Sequence, residues 1–160
     1  MSQPENVRID NRLIHGQVAA LWTKSLKINR IVVIDDEVIK DKMRRSLLKM
    51  ATPAGIKLSM ISPKRAAENF LSDRYAEETV MVIVAGPEML QKVKDEGFVF
   101  ESVNVANMPS KPNAKTITRT IYVSEEEEAV LRALSKETRF YTQLAPNDRQ
   151  EDFMELLDKA

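Results

Sequence analysis

Two hydrophobic patterns alternate along this chain. Short β-branched or continuous apolar runs at residues 7–10, 30–34, 56–61, 79–85 and 102–105 read as strands. Between them, apolar positions recur at helical spacing, as in Val18, Leu21, Trp22 and Leu26 after Gly16. A second helix after Asp35-Asp36, either of which can cap it, carries Ile39, Met43, Leu47 and Met50 on one face, with Lys40, Arg44, Arg45 and Lys49 mostly elsewhere. Thr52-Pro53-Ala54-Gly55 stops it. Ser62-Pro63 opens a third helix to about Ser72, and Gly86-Pro87 precedes a short one that buries Leu90 and Val93 and ends near Gly97. Residues 116–123 alternate Ile117, Ile121 and Val123 with polar positions, as a half-exposed or edge strand would. Ser124 with Glu127 is a capping-box pattern opening a helix on Val130, Leu131 and Leu134. A last strand at 140–144 and a last helix at 151–159, with Phe153, Leu156 and Leu157 inward, close the chain.

This alternation, with connections of a few residues, predicts one α/β domain over residues 1–160. Its sheet is open, twisted and mostly parallel, with helices on both faces. Ligands of such sheets gather beyond the carboxyl ends of the strands. The loop after the first strand, Asp35-Asp36, Gly86-Pro87 and the two-proline loop from Ala106 to Asn113 should all emerge there.

Composition narrows the picture. With no cysteine there is no disulfide, thiolate nucleophile or thiolate metal site. No signal peptide is legible, no apolar run approaches the roughly 20 residues of a membrane span, and a cytoplasmic location follows as the expectation. Net charge is zero, yet residues 1–70 carry 13 Lys/Arg against 7 Asp/Glu, and residues 71–160 carry 11 against 17. The basic half suits a phosphate or an acidic protein. With nine aromatics in the whole chain, nucleic-acid stacking surfaces are not expected. The eight methionines read mostly as core fillers, and the Glu125–Glu128 run as a solvated helix start.

Chemistry concentrates in Arg8-Ile9-Asp10-Asn11-Arg12-Leu13-Ile14-His15-Gly16-Gln17, which holds the only histidine. A lone histidine near a helix start most often caps or packs. Its neighbours point elsewhere. Gly16 permits close approach to a helix N-terminus, where free N–H groups favour an anion. Arg12 offers a fork of donors that suits phosphate oxygens. Asp10 could bond one imidazole nitrogen and leave the other nucleophilic. A histidine–cysteine metal site lacks ligands, and a hard-cation site would have only Asp35-Asp36. No Gly-x-Ser-x-Gly turn, Walker loop or dinucleotide fingerprint is present, so no cofactor is expected. What remains is an imidazole suited to carrying a phosphoryl group.

The stretch from Arg8 to Val18 resembles the signature of the IIB component of the mannose/fructose/sorbose family of the bacterial sugar phosphotransferase system. Residues 31–38 resemble that family's second strand and turn, residues 103–108 its Asn-Ile/Val-Gly-x-Met segment, and Leu144-Ala145-Pro146 its late valine–proline turn. The resemblance implies that His15 is phosphorylated on Nδ1 by a phosphohistidine of a IIA protein. It implies transfer onward to a hexose-type sugar, usually at C6, presented by the membrane components IIC and IID. Arg12 and Asp10 then act at the phosphoryl group with His15, and Asn11, Gly16 and Gln17 border its site. Two positions depart from the pattern: Asn11 stands where a second acidic residue is common, and Ala106 where glycine is usual. The alternative is a non-transporting regulatory phosphohistidine domain; a module binding a free small phosphate compound is a third reading. A homodimer is compatible with the resemblance, with its interface expected at the 116–123 edge.

Overall fold

The computed structural model describes residues 2–160. Nine strands and six α-helices follow in order: β1 (Asn6–Asp10), α1 (Gly16–Leu26), β2 (Arg30–Ile34), α2 (Lys42–Ala51), β3 (Lys57–Ile61), α3 (Pro63–Leu71), β4 (Val80–Val84), α4 (Pro87–Asp95), β5 (Ser102–Asn107), β6 (Lys115–Thr118), β7 (Ile121–Val123), α5 (Glu125–Leu134), β8 (Arg139–Thr142), β9 (Glu151–Asp152) and α6 (Phe153–Lys159). Seven strands form one sheet in the order β3-β2-β4-β1-β5-β8-β9, parallel except at the β8–β9 edge. The α/β expectation holds.

The two sheet faces can be read from alternate residues of a strand. Ile31 and Val33 pack with Ala19, Trp22 and Leu48, under α1 and α2. Val32 and Ile34 pack with Phe70, Leu90, Leu131 and Phe153, under α3, α4, α5 and α6. Burial on both faces is why β2 and β4 are continuous apolar runs rather than alternating ones. β1 sits mid-sheet between β4 and β5. The chain leaves β1 toward β2 on one side and leaves β5 toward β8 on the other, so their carboxyl ends flank a point where the topology switches direction.

Three local expectations are corrected. Residues 116–123 are not one edge strand but the antiparallel hairpin β6–β7, turning at Arg119-Thr120. Ile121 and Val123 lie in the core, so the apolar edge expected to carry a homodimer interface is not exposed. The turn at Asp35-Asp36 does not cap α2. Asp35 Oδ1 accepts from the amides of Glu37 and Val38 at a single 3₁₀ turn (Val38–Lys40), and Asp41 caps α2 instead. The methionine stripe of α2 faces out: Met43 and Met50 are 74% and 82% exposed, and Leu47 is also exposed. Only Leu48 of that helix is buried. Leu21 of α1 likewise faces solvent, with Ala19, Trp22 and Thr23 turned inward.

The orientation of α2 is testable through adjacent leucines. Leu48→Ala is expected to lower unfolding free energy by about 2–3 kcal/mol through a core cavity. Leu47→Ala should stay within about 0.5 kcal/mol of the parent. Denaturant titration checks both, and the opposite ranking would mean that the helix packs through its methionine stripe.

Candidate active site at the first strand-to-helix turn

β1 delivers its last residue, Asp10, into the interior at the carboxyl edge of the sheet, and the register with β5 shifts there so that Asp10 faces Asn107. The chain then turns tightly. Leu13 N–H donates to the Asp10 carbonyl at 2.8 Å, and Asn11 N–H donates to the Asn107 carbonyl at 3.2 Å. Leu13 sits in the left-handed region at φ 62°, which costs a leucine about 1 kcal/mol. Its side chain is buried and anchors the turn. Ile14 is buried beside it, and His15 follows in extended conformation immediately before α1.

The His15 side chain is exposed and makes no capping hydrogen bond. Neither of the common structural uses of a helix-start histidine, packing and capping, describes it. The first amides of α1 are left without a side-chain cap.

Asp10 is not the partner of the imidazole. Its carboxylate, fully buried, accepts from Arg8 Nε and Nη2 and from Arg12 Nε, Nη2 and backbone N–H, at 2.9 to 3.3 Å. A buried carboxylate needs such partners, since desolvation of an unpaired one costs several kcal/mol. Arg8 is buried too, and its guanidinium lies 5.8 Å from the Trp22 ring centroid. Burial pulls Arg8 below the ordinary arginine range against the opposing pull of Asp10, whereas the hydrogen bonds to Asp10 raise Arg12. The difference is position: Arg8 is enclosed and Arg12 reaches the surface with a side chain 41% exposed. Two guanidiniums on one carboxylate leave a net positive charge, and Arg12 carries it outward. Arg8 is the functional-site residue that sequence reasoning passed over. Its signal was an arginine two residues before Asp10 in a strand, where alternation puts the two on one face.

Asn11, Gly16 and Gln17 are exposed around the turn. Gly16 has no positive φ, and a Cβ built there would meet only the Ala51 carbonyl at an ordinary 3.7 Å. Nothing inside the protein demands glycine there, so any demand comes from the solvent side. The space that His15 lines with Arg8 and Trp22 holds about 10 Å³, one water's worth. Arg8 Nη1 and Trp22 Nε1, both buried, have no acceptor among the described residues. A crevice of about 400 Å³ lies on the same sheet edge, between the β6–β7 turn and the loop after β8, but none of the residues around His15 lines it. Ala106 is bound there by the Thr120 hydroxyl, which donates to its carbonyl at 3.0 Å. Lys111, in the proline loop, pairs with buried Glu127 at 3.1 Å. Among the described residues no cluster of three His, Cys, Asp or Glu could hold a metal ion, and Asp36 is taken up by Lys92.

A solvent-facing imidazole beside a paired arginine and an uncapped helix start is one half of the identification. The other is comparison. The family model described as "PTS system sorbose subfamily IIB component" matches residues 5–160. This chain belongs to that family. The fructose-specific EIIB component of Bacillus subtilis (strain 168) is 32% identical over 151 residues, 94% of this chain and 93% of its own length. The sorbose-specific EIIB component of Klebsiella pneumoniae is 32% identical over 81% of this chain and 79% of its own. The crystal structure of the IIBSor domain of the sorbose permease from Klebsiella pneumoniae superimposes with a TM-score of 0.90 at 27% identity, covering 99% of this chain and 98% of that one. The protein is a IIB component of the sorbose/fructose/mannose type, with a phosphocarrier role in a sugar phosphotransferase system. Among the described residues no helix is long and apolar enough to cross a membrane.

Two substitutions separate scaffold from site in this IIB chain. Arg8→Met should lower stability by about 3 kcal/mol, because it strips a partner from a buried carboxylate. Gly16→Ala should leave the melting temperature unchanged or slightly raised, since alanine is the better helix former. A Gly16→Ala chain that unfolds readily would show that glycine serves the fold.

Proposed function

We propose that His15 is the phosphorylated residue of this IIB component, taking its group from a phosphohistidine of a IIA protein and giving it to a sugar. The observation that carries this is the exposed imidazole on the same turn as the Asp10-bound Arg12, three residues after it, where the guanidinium carries positive charge outward. In the first step a lone pair on His15 Nδ1 attacks phosphorus, the new P–N bond forms, and the donor's P–N bond breaks to restore its imidazole. In the second, a sugar hydroxyl, usually that at C6, attacks phosphorus, the P–N bond at His15 breaks, and the hydroxyl proton is released. Phosphoryl transfer of this loose kind needs positioning and charge stabilisation more than covalent help. Arg12 and the free amides at the start of α1 supply both, with Asn11, Gly16 and Gln17 bordering the same space. Asp10 acts by holding Arg12.

The open position of His15 favours protein partners over a free small phosphate. His15 stands exposed on the surface rather than inside an enclosed cavity. The group therefore arrives on a partner protein whose surface completes the site, and leaves to a sugar that other components present. Among relatives, the mannose-specific protein of Escherichia coli (strain K12) is named an EIIAB component, and this chain matches 47% of its length. A IIA partner here, and membrane components IIC and IID presenting the sugar from the cytoplasmic side, fit that organisation. Which sugar is carried follows from the membrane components.

The experiment is a label transfer. Incubated with phosphorylated IIA, the chain should acquire an acid-labile, alkali-stable phosphate that maps to His15 and is lost in His15→Ala. A label that persists in that variant overturns the assignment. Arg12→Ala should slow transfer about 10²–10³-fold, measured below its melting transition because the change also strips two side-chain bonds from buried Asp10. An unchanged rate would remove Arg12 from the mechanism.

A further inference from the structure

We infer that the outward face of α2 is the docking surface for the phosphoryl-donating partner, a protein with an apolar patch ringed by acidic side chains. The inference rests on the reading of His15 as the acceptor. Of the six large apolar side chains exposed among the described residues, Met43, Leu47 and Met50 belong to this one ten-residue helix. Their spacing of four and three residues puts them in a single stripe. Lys42, Arg44 and Lys49 flank that stripe, all exposed.

Among the described residues the cations of this face are unspent, as are others such as Lys24, Lys64 and Lys136, but here five fall within ten residues beside an exposed apolar stripe. Lys92, Lys94, Lys111, Lys115 and Arg132 all pair with carboxylates. Among the described residues, no ion pair involves Lys40, Lys42, Arg44, Arg45 or Lys49. The helix between its cap, Asp41, and its end has no acidic residue. Its carboxyl end abuts the site, because Gly16, next to His15, lies against the Ala51 carbonyl. A partner seated on Met50 and Leu47 therefore reaches the histidine.

Charge selects the occupant. A second copy of the chain, related by a two-fold axis, would bring this cationic face against itself. A donor bearing a phosphoryl group brings about −2 of charge to unpaired cations. Once the group has passed to His15, that charge belongs to this chain and offsets the same cations, so the spent acidic donor is held less tightly. Methionine suits the apolar stripe, since its flexible side chain adapts to a partner that must be released after each transfer.

The test is the rate of His15 labelling as a function of phospho-IIA concentration, in the full chain and in Leu47→Glu, Met50→Glu and the pair Lys42→Glu/Lys49→Glu. All four side chains are exposed, and a melting curve confirms the fold of each variant. KM for phospho-IIA should rise tenfold or more in every variant, with the maximal rate within about twofold of the parent. The rise of KM with salt should be flatter in the charge-reversed pair. Unchanged KM values in variants whose parent labels normally overturn the docking surface alone. So does a loss confined to transfer from phosphorylated His15 to sugar in membranes, which would give the face to the acceptor side. A parent that takes no label overturns the acceptor reading, and this surface with it.

Discussion

The Asp10 carboxylate governs this structure. It is fully buried at the end of the central strand β1 and accepts five hydrogen bonds, two from Arg8 and three from Arg12. A charge in that position is tolerable only because it is paired, and the pairing dictates the rest. Arg8 must lie inside the sheet's helix layer, where Trp22 covers it. Arg12 must curl back over the strand end, and its backbone N–H must turn toward Oδ1. The chain meets both demands by forcing Leu13 into the left-handed region and burying its side chain. His15 emerges from that turn already placed at the start of α1.

Sheet topology does the remaining positioning. Because the chain leaves β1 and β5 in opposite directions, no crossover helix covers the gap between their carboxyl ends, and the loop stays open to solvent. Both faces of the sheet are occupied, α1 and α2 on one and α3, α4, α5 and α6 on the other, so the edge is the free place for chemistry. The electrostatics agree with the topology. One positive charge remains after Asp10 is shared, the helix start adds its amides, and the unpaired cations of α2 extend the field away from the loop. A phosphoryl group is attracted from several directions and enclosed by none, as a relay between proteins requires.

Strand runs such as Arg30–Ile34 and Val80–Val84 were legible because burial on both faces leaves little room for polar side chains. Helix starts at Ser62-Pro63 and Ser124 were legible because capping is local chemistry. The α2 stripe misled because periodicity shows that Met43, Leu47 and Met50 share a face but not which way that face points; Leu48 alone meets the sheet. The β6–β7 hairpin was missed because Arg119-Thr120 lacks the glycine or asparagine that usually marks such a turn. In the site, the residue types at positions 10, 12, 15 and 16 could be read as a phosphate-handling cluster. The pairing within it could not. Strand alternation already puts Arg8 and Asp10 on one face, but the return of Arg12 to Asp10 accompanies the left-handed turn at Leu13, which no pattern of residue types announces.

The central claim is that Asp10 acts on phosphoryl transfer through Arg12. A double-mutant cycle on the rate of His15 labelling by phospho-IIA, measured on folded Asp10→Asn, Arg12→Ala and doubly substituted chains, addresses it directly. The account predicts that Asp10→Asn slows transfer nearly as much as Arg12→Ala, and that the double variant is no slower than the slower single one. A wild-type rate in Asp10→Asn, or losses that multiply in the double variant, would contradict it.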